Sequence, residues 1–175
     1  EQPGKEKIAL TAIKLIKNGD VVFLDGSTSA FFIAEYLSEF DNLKVVTNGI
    51  DTLSLLSKNN VTAYSTGGIV SPVNRSVLIG HFAAEMIAGI HADIAFFSAQ
   101  SAGRDGVISD CFEEENVLRL CMMKNASKKV FLCDGAKFEK QSAFRLCSVR
   151  DIDCIVSNRD IRDHFDTDAL PELLY

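Results

Sequence analysis

The hydrophobic and polar positions of this chain fall into a recurring unit. Val21, Val22, Phe23 and Leu24 form an apolar run, too short for a helix and rich in β-branched and aromatic side chains, which predicts a buried strand. It gives way at Asp25 to Gly26, Ser27, Thr28 and Ser29, after which Ala30, Ile33, Ala34 and Leu37 recur on one helix face. The same order returns twice. A strand at 43–46 ends at Thr47, Asn48 and Gly49, before a helix marked by Ile50, Leu53 and Leu56; a strand at 61–64 ends at Thr66, Gly67 and Gly68. Further strands are predicted at 94–97, 129–133 and 154–157. Helices are expected after Gly80 and after an Asp110 to Glu113 capping box, the latter with Val117, Leu118, Cys121 and Met122 on its apolar face. Ile8, Ala12, Leu15 and Ile16 mark an opening helix, and a short closing helix is expected at 170–174. Pro72, Asn74 and Arg75 interrupt 69–77, which reads as an irregular hairpin, and 104–109 reads as a long loop.

Strand, polar loop and helix repeating at roughly 20 to 25 residues imply an α/β fold with a mostly parallel, Rossmann-like sheet flanked by helices. In such a sheet the ligand crevice lies beyond the carboxyl ends of the strands, so the loops at Asp25, Thr47 and Gly67 are expected to meet at one rim. The first of these, Gly26 to Ser29, has the makings of an oxyanion cradle, with backbone N–H groups entering a helix and three hydroxyls beside them. The same residues also suit a plain helix cap, with Gly26 easing the turn. Lys137, just past the carboxyl end of the 129–133 strand, stands where an ammonium reaches a phosphate or carbonyl, and Arg75 is a further candidate for an anion. Glu113, Glu114 and Glu115 fall in the first turn of their helix, where carboxylates complement its dipole, so a structural role suits them better than a catalytic one.

Composition narrows the picture. The chain has 175 residues, 47% of them hydrophobic, enough for one domain with a substantial core. A formal charge of −6 argues against this segment gripping nucleic acid, which needs a basic face to displace counterions. No apolar run is long enough for a bilayer, which makes a cytoplasmic location the expectation. Cys111, Cys121, Cys133, Cys147 and Cys154 match neither a redox pair nor a zinc knuckle and read as reduced core thiols. His81, His91 and His164 are scattered. Neither a metal site nor a cofactor is assigned. Residues 1–7, polar and carrying Pro3 and Gly4, read as linker from a missing N-terminal domain, and 8–175 as a single domain.

Taken together and in order, several loops resemble the C-terminal sensor domain of DeoR-type transcriptional regulators. They are Leu24-Asp25-Gly26-Ser27-Thr28-Ser29, the Val-Val-Thr-Asn at 45–48, Gly67-Gly68, Gly80, Ala92-Asp93, the Asp-Gly-Val-Ile-Ser at 105–109, Glu113-Glu114, Asp134 with Lys137-Phe138, and Asp151-Ile152-Asp153. The resemblance covers roughly residues 6 to 160, and order and spacing make it specific. It implies a fold related to ribose-5-phosphate isomerase and CoA transferases, a phosphorylated sugar or related metabolite as effector, and DNA contact only through an upstream winged helix-turn-helix. It also implies an effector site lined by Asp25 to Ser29, Thr47, Asn48, Gly67, Gly68 and Lys137, with Asp25 accepting sugar hydroxyls, 27–29 holding phosphate and Lys137 neutralising it. A homodimer or homotetramer is expected, since two-fold operators call for symmetric proteins.

Two places depart from the family pattern. Glycine directly follows Asp25, and Ser98-Ala99-Gln100-Ser101 stands where the family carries an acid, which puts Gln100 in the candidate set. Three functions therefore stand side by side: a non-catalytic effector sensor, a phosphosugar isomerase in which Asp105 or Glu113 supplies the base, and an oligomerising domain with a vestigial pocket.

Overall fold

The structure, a computed structural model, describes residues 2–137 and 141–175. Glu1 and, from the sequence pattern above, Phe138 lie outside the described residues.

Helix α1 (Gln2–Ala12) leads into strand β1 (Val21–Leu24), helix α2 (Thr28–Ala34), β2 (Lys44–Thr47), α3 (Ile50–Lys58) and β3 (Thr62–Ser65). A hairpin of β4 (Ile69–Val70) and β5 (Leu78–Ile79) and helix α4 (His81–Ala88) carry the chain back to β6 (Ala92–Phe97). There follow β7 (Ser101–Ala102), β8 (Val107–Asp110), α5 (Glu113–Lys124), β9 (Ala126–Cys133), β10 (Phe144–Ser148), β11 (Cys154–Ser157) and β12 (Glu172–Leu174). Seven of these strands form one sheet in the order β12-β11-β9-β6-β1-β2-β3, and every pairing in it is parallel. All six strands expected from the apolar runs lie in it, so the parallel α/β reading holds.

The alternation within β1 shows how the layers form. Val22 and Leu24 face one side and pack with Ile8, Ala12, Ala30, Ile33 and Leu37 of the first two helices and the turn after them. Phe23 faces the other side, against Ala83 and Ile87 of α4 and Leu118 and Met122 of α5. A third cluster joins Phe97, Phe131 and Ile155, in register on neighbouring strands, to Ala102, Ile108 and Leu146 of a small antiparallel sheet ordered β10-β8-β7. The expected hairpin at 69–77 is present, closed by antiparallel pairing of Ile69 with Ile79.

Four local expectations need correction. The 104–109 segment is not simply a loop: Val107 and Ile108 belong to β8, whose partners β7 and β10 were not foreseen. Residues 170–174 do not make a helix; Glu172–Leu174 instead adds a parallel strand to the open edge of β11, satisfying backbone groups that no leucine pattern reveals. There is no Asp110 to Glu113 capping box, because Phe112 occupies the N-cap without a side-chain bond and the Asp110 carboxylate takes the N–H groups of Phe112 and Gln100. Residues 2–7, read as linker, are the first turns of α1. Pro3 is compatible with that, since a first-turn N–H has no helical partner to lose. Of the cysteines, Cys133 and Cys154 are buried and Cys111 is exposed; burial pushes the Cys133 and Cys147 thiols up to about 12.

The turn between β3 and the hairpin makes a testable contrast. Gly67 has φ +65° in open space, whereas Gly68 has φ +102° and a Cβ there would collide with the Ile79 carbonyl oxygen. Gly67→Ala is expected to cost about 1 kcal/mol, the left-handed penalty alone. Gly68→Ala is expected to cost about 2 kcal/mol or more, because the β5 backbone must also move. Urea unfolding of the two variants measures the difference; equal losses would contradict the close approach of the hairpin to this turn.

Candidate functional site

From β1 the chain runs outward through β2 and β3, then returns to place β6 on the other side of β1. The connections after β1 and β6 therefore diverge in opposite directions, and a crevice opens between their carboxyl ends. Here it is a cleft of about 250 Å³, bordered by the 26–29 loop, Ser98 and Gln100 after β6, Asn74 and Ser76 of the hairpin, and the ammonium-bearing Lys5 and Lys137. A neighbouring cavity of about 280 Å³ shares Gly26, Ser27, Thr28 and Ser76 with it and continues to Phe31 and Thr52.

The floor is a buried charge network. Asp25 is 2% exposed. Its Oδ1 accepts from the Ser27 N–H and hydroxyl, and its Oδ2 accepts from the Ser98 N–H at 3.0 Å and from Arg119 Nε at 2.9 Å. Arg119, 5% exposed on α5, also lies 3.5 Å from Asp110 and 3.4 Å from Glu115, and donates to Asn116 Oδ1 at 3.1 Å. Burial alone would pull the guanidinium pKa down, but Asp25 and Asp110, then Glu115, more than offset it, and the net direction is up. Glu115 moves up because its burial outweighs the attraction of Arg119 and the Asn74 hydrogen bond. Asp25 is thus committed on both oxygens and underlies the cleft; the expectation that it accepts sugar hydroxyls does not fit this arrangement.

Donors line the wall above. Ser27 caps α2, its Oγ accepting from the Ala30 N–H at 3.2 Å, so the cap reading of that residue is right and its hydroxyl is not free for a ligand. The Thr28 and Ser29 N–H groups, at the first two positions of α2, have no partner among the described residues. The Ser29 hydroxyl is buried and likewise unpartnered. Facing them, a turn after β9 presents Lys137, held by its N–H to the Asp134 carbonyl at 3.0 Å. Lys137 Nζ donates to Ser98 Oγ at 2.6 Å and has no carboxylate partner among the described residues; burial lowers its pKa.

Other sequence candidates lie elsewhere. Thr47 accepts from the Gly49 N–H within its own turn, whereas Asn48 Nδ2 donates to the Leu78 carbonyl at 3.0 Å and fastens the hairpin onto the sheet. Gly67 and Gly68 serve the turn described above and do not border the cleft. Arg75 is exposed between two hairpin residues that do border it. Asp105 closes its own turn through the Val107 N–H and borders a separate crevice with Ser109 and Arg145.

This geometry can be set beside known proteins. The sequence pattern of the DeoR C terminal sensor domain matches residues 1–159. The chain belongs to the DeoR family. It is 34% identical over 158 residues to the HTH-type transcriptional regulator GolR of Listeria innocua serovar 6a, covering 90% of this chain and 62% of that protein. It is 29% identical over 161 residues to the L-fucose operon activator of Haemophilus influenzae, covering 91% of this chain and 64% of that protein. The DeoR sensor chain thus spans less than two thirds of these relatives. Its fold resembles ribose 5-phosphate isomerase A of Methanocaldococcus jannaschii with a TM-score of 0.56 at 18% identity, over 76% of this chain and 52% of that one; at such identity the likeness speaks for the fold alone.

Several residues of this DeoR site escaped the sequence reading: Arg119, Ser98, Asn74 and Lys5, together with the inward direction of Asp110 and Glu115. One signal was available. Glu115, Leu118, Arg119 and Met122 share a helix face, yet Val117 and Leu120 on the opposite face are 49% and 45% exposed, so α5 buries its charges and shows part of its apolar side.

The network makes opposite demands on its members. Arg119→Met strands three buried carboxylates and is expected to destabilise by about 3–5 kcal/mol. Glu115→Gln relieves one of three negative charges around a single cation. Because the folded-state pKa of Glu115 is raised, its ionisation weakens folding as pH rises above the usual carboxylate value. The stability of Glu115→Gln relative to the parent is therefore expected to improve as pH rises from about 4.5 through that raised value. Denaturant titrations across pH check both; a relative stability of Glu115→Gln that falls with rising pH would reverse the assigned sign.

Proposed function

We propose that this chain is the effector-sensing module of a sugar-metabolism regulator, and that its cleft holds a phosphorylated sugar or related metabolite. The observation that carries this reading is the donor wall. In a chain of net charge −6, Thr28 and Ser29, whose N–H groups have no partner among the described residues, border one cleft with the ammonium-bearing Lys137, and the Ser29 hydroxyl is buried and unpartnered. Such a set suits a phosphate, which accepts several charge-assisted hydrogen bonds at once. Asn74, Ser76 and Gln100 border the same space and suit sugar hydroxyls. The family and the name of the fucose operon activator support a sugar-linked role.

On this reading the module regulates DNA binding by a helix-turn-helix outside the present chain, and works without turnover. Asp110 and Glu115, the carboxylates that border the cleft, are engaged by Arg119, backbone N–H groups and Asn74, so neither is a free base for isomerisation. A symmetric oligomer in the cytoplasm accords with a bacterial operator-binding regulator.

Thermal unfolding with a panel of pentose and hexose phosphates tests the cleft. At about 100 times its dissociation constant a ligand stabilises by about 2.7 kcal/mol, about 5–10 °C in midpoint for a domain of this size, and the unphosphorylated sugar is expected to give almost none of it. Lys137→Met is expected to abolish most of the shift while leaving the apo midpoint within a few degrees. A shift that survives this substitution would move the phosphate elsewhere. In mobility-shift assays at physiological salt the chain itself is expected not to bind duplex DNA; saturable, salt-sensitive binding would overturn the assignment of DNA contact to another segment.

A further inference from the structure

Resting on the phosphate-binding reading of the cleft, we propose that Lys5 of α1 is the second cation of the anion site, so that a bound phosphate draws the first turns of α1 onto the cleft. Lys5 borders the same cleft as Lys137 and Ser29. Like Lys137, it has no carboxylate partner among the described residues, although acidic residues outnumber basic ones in the chain, 24 to 18. Burial is the main cause that lowers the Lys137 pKa; Asp25 below partly offsets it, and Lys5 adds a repulsion that lowers it further. A dianionic phosphate monoester between the two lysines satisfies both.

The two ammonium-bearing elements are also joined mechanically through Asn158. Lys7 Nζ of α1 donates to the Asn158 carbonyl at 3.0 Å, and the Gly135 N–H, in the turn that presents Lys137, donates to Asn158 Oδ1 at 3.1 Å. At Gly4 the backbone approaches so closely that a Cβ would lie 2.9 Å from Asn158 Nδ2. Anchoring α1 and the Lys137 turn on one residue keeps Lys5 and Lys137 in register across the anion. Occupancy of the cleft then becomes order in α1, and a segment attached before residue 2 receives it through this helix.

Calorimetric titration with inorganic phosphate and hydrogen exchange of residues 2–12 test this on the 175-residue chain. Phosphate is expected to bind the parent and slow exchange in the first turns of α1. Lys5→Gln is expected to bind about tenfold more weakly, the loss of one charge-assisted contact, and to lose the added protection, while Lys5→Arg restores both. Lys5→Gln binding within twofold of the parent while Lys137→Met loses affinity would overturn the role of Lys5 and leave the phosphate cleft standing. Phosphate binding without any change in α1 exchange would overturn the coupling. Absence of phosphate binding by the parent, with Lys5 and Lys137 intact, would overturn the cleft reading and this inference together. Equal apo midpoints of Lys5→Gln, Lys5→Arg and the parent show that affinity and not folding is being read.

Discussion

Three carboxylates, Asp25, Asp110 and Glu115, converge on the one guanidinium of Arg119, and the layout of the cleft depends on that convergence. Asp25 directly follows β1, Asp110 ends β8, and Glu115 and Arg119 lie one turn apart on α5. A single buried cation thus ties the central strand to the small antiparallel sheet and to the helix packed behind both. Buried ion pairs add little net stability against apolar replacements, but losing one partner is costly. Such a network fixes the position of its elements more than it deepens the fold. Since Asp25 also takes the Ser98 and Ser27 N–H groups, it sets the spacing of the two loops that form the cleft walls.

On the proposed phosphate reading, that arrangement offsets the negative charge that lies beside the anion. Asp25 lies beneath the cleft and Asp110 and Glu115 border it, all three engaged by Arg119, while Lys5 and Lys137 border the same space. Without Arg119 the three carboxylates would repel a phosphate across a short, poorly screened distance. On the same phosphate reading the network therefore serves the binding site as well as the architecture.

The same view explains why α5 has an unusual pattern. Its buried face carries Glu115, Asn116 and Arg119 beside Leu118 and Met122, while Val117 and Leu120 are exposed. A helix serving only the core would turn its leucine and valine inward. Local preference gives way here to the demand of the switch point for a cation, and the apolar residues left outside are the consequence. At the other end of the chain α1 combines core and site in a regular way: Ile8, Ala9 and Ala12 pack on the sheet, and Lys5, one turn before Ala9, borders the cleft.

The sequence by itself determined six of the seven strands of the main sheet, the α/β class, the hairpin at 69–77 and the turn at 25–29, because each rests on a local signal: a short β-branched run, a helical period or a turn-forming cluster. The order of resembling loops also named the family. It could not show that Asp25 faces inward, that Ser27 is committed to capping α2, or that Arg119, 94 residues further along, completes the site, since such pairings exist only when distant elements meet. Nor could it tell a leucine-rich tail that makes a helix from one that pairs with an open strand edge, as Glu172–Leu174 does; the deciding factor is the unpaired backbone of β11. The tertiary structure alone sorted the candidate loops, placing Ser29, Gln100 and Lys137 around one cleft, giving Asn48 and Gly68 to the hairpin, and leaving Thr47 and Asp105 to their own turns. Each of those outcomes follows from which backbone groups and charges had to be satisfied once the sheet was formed.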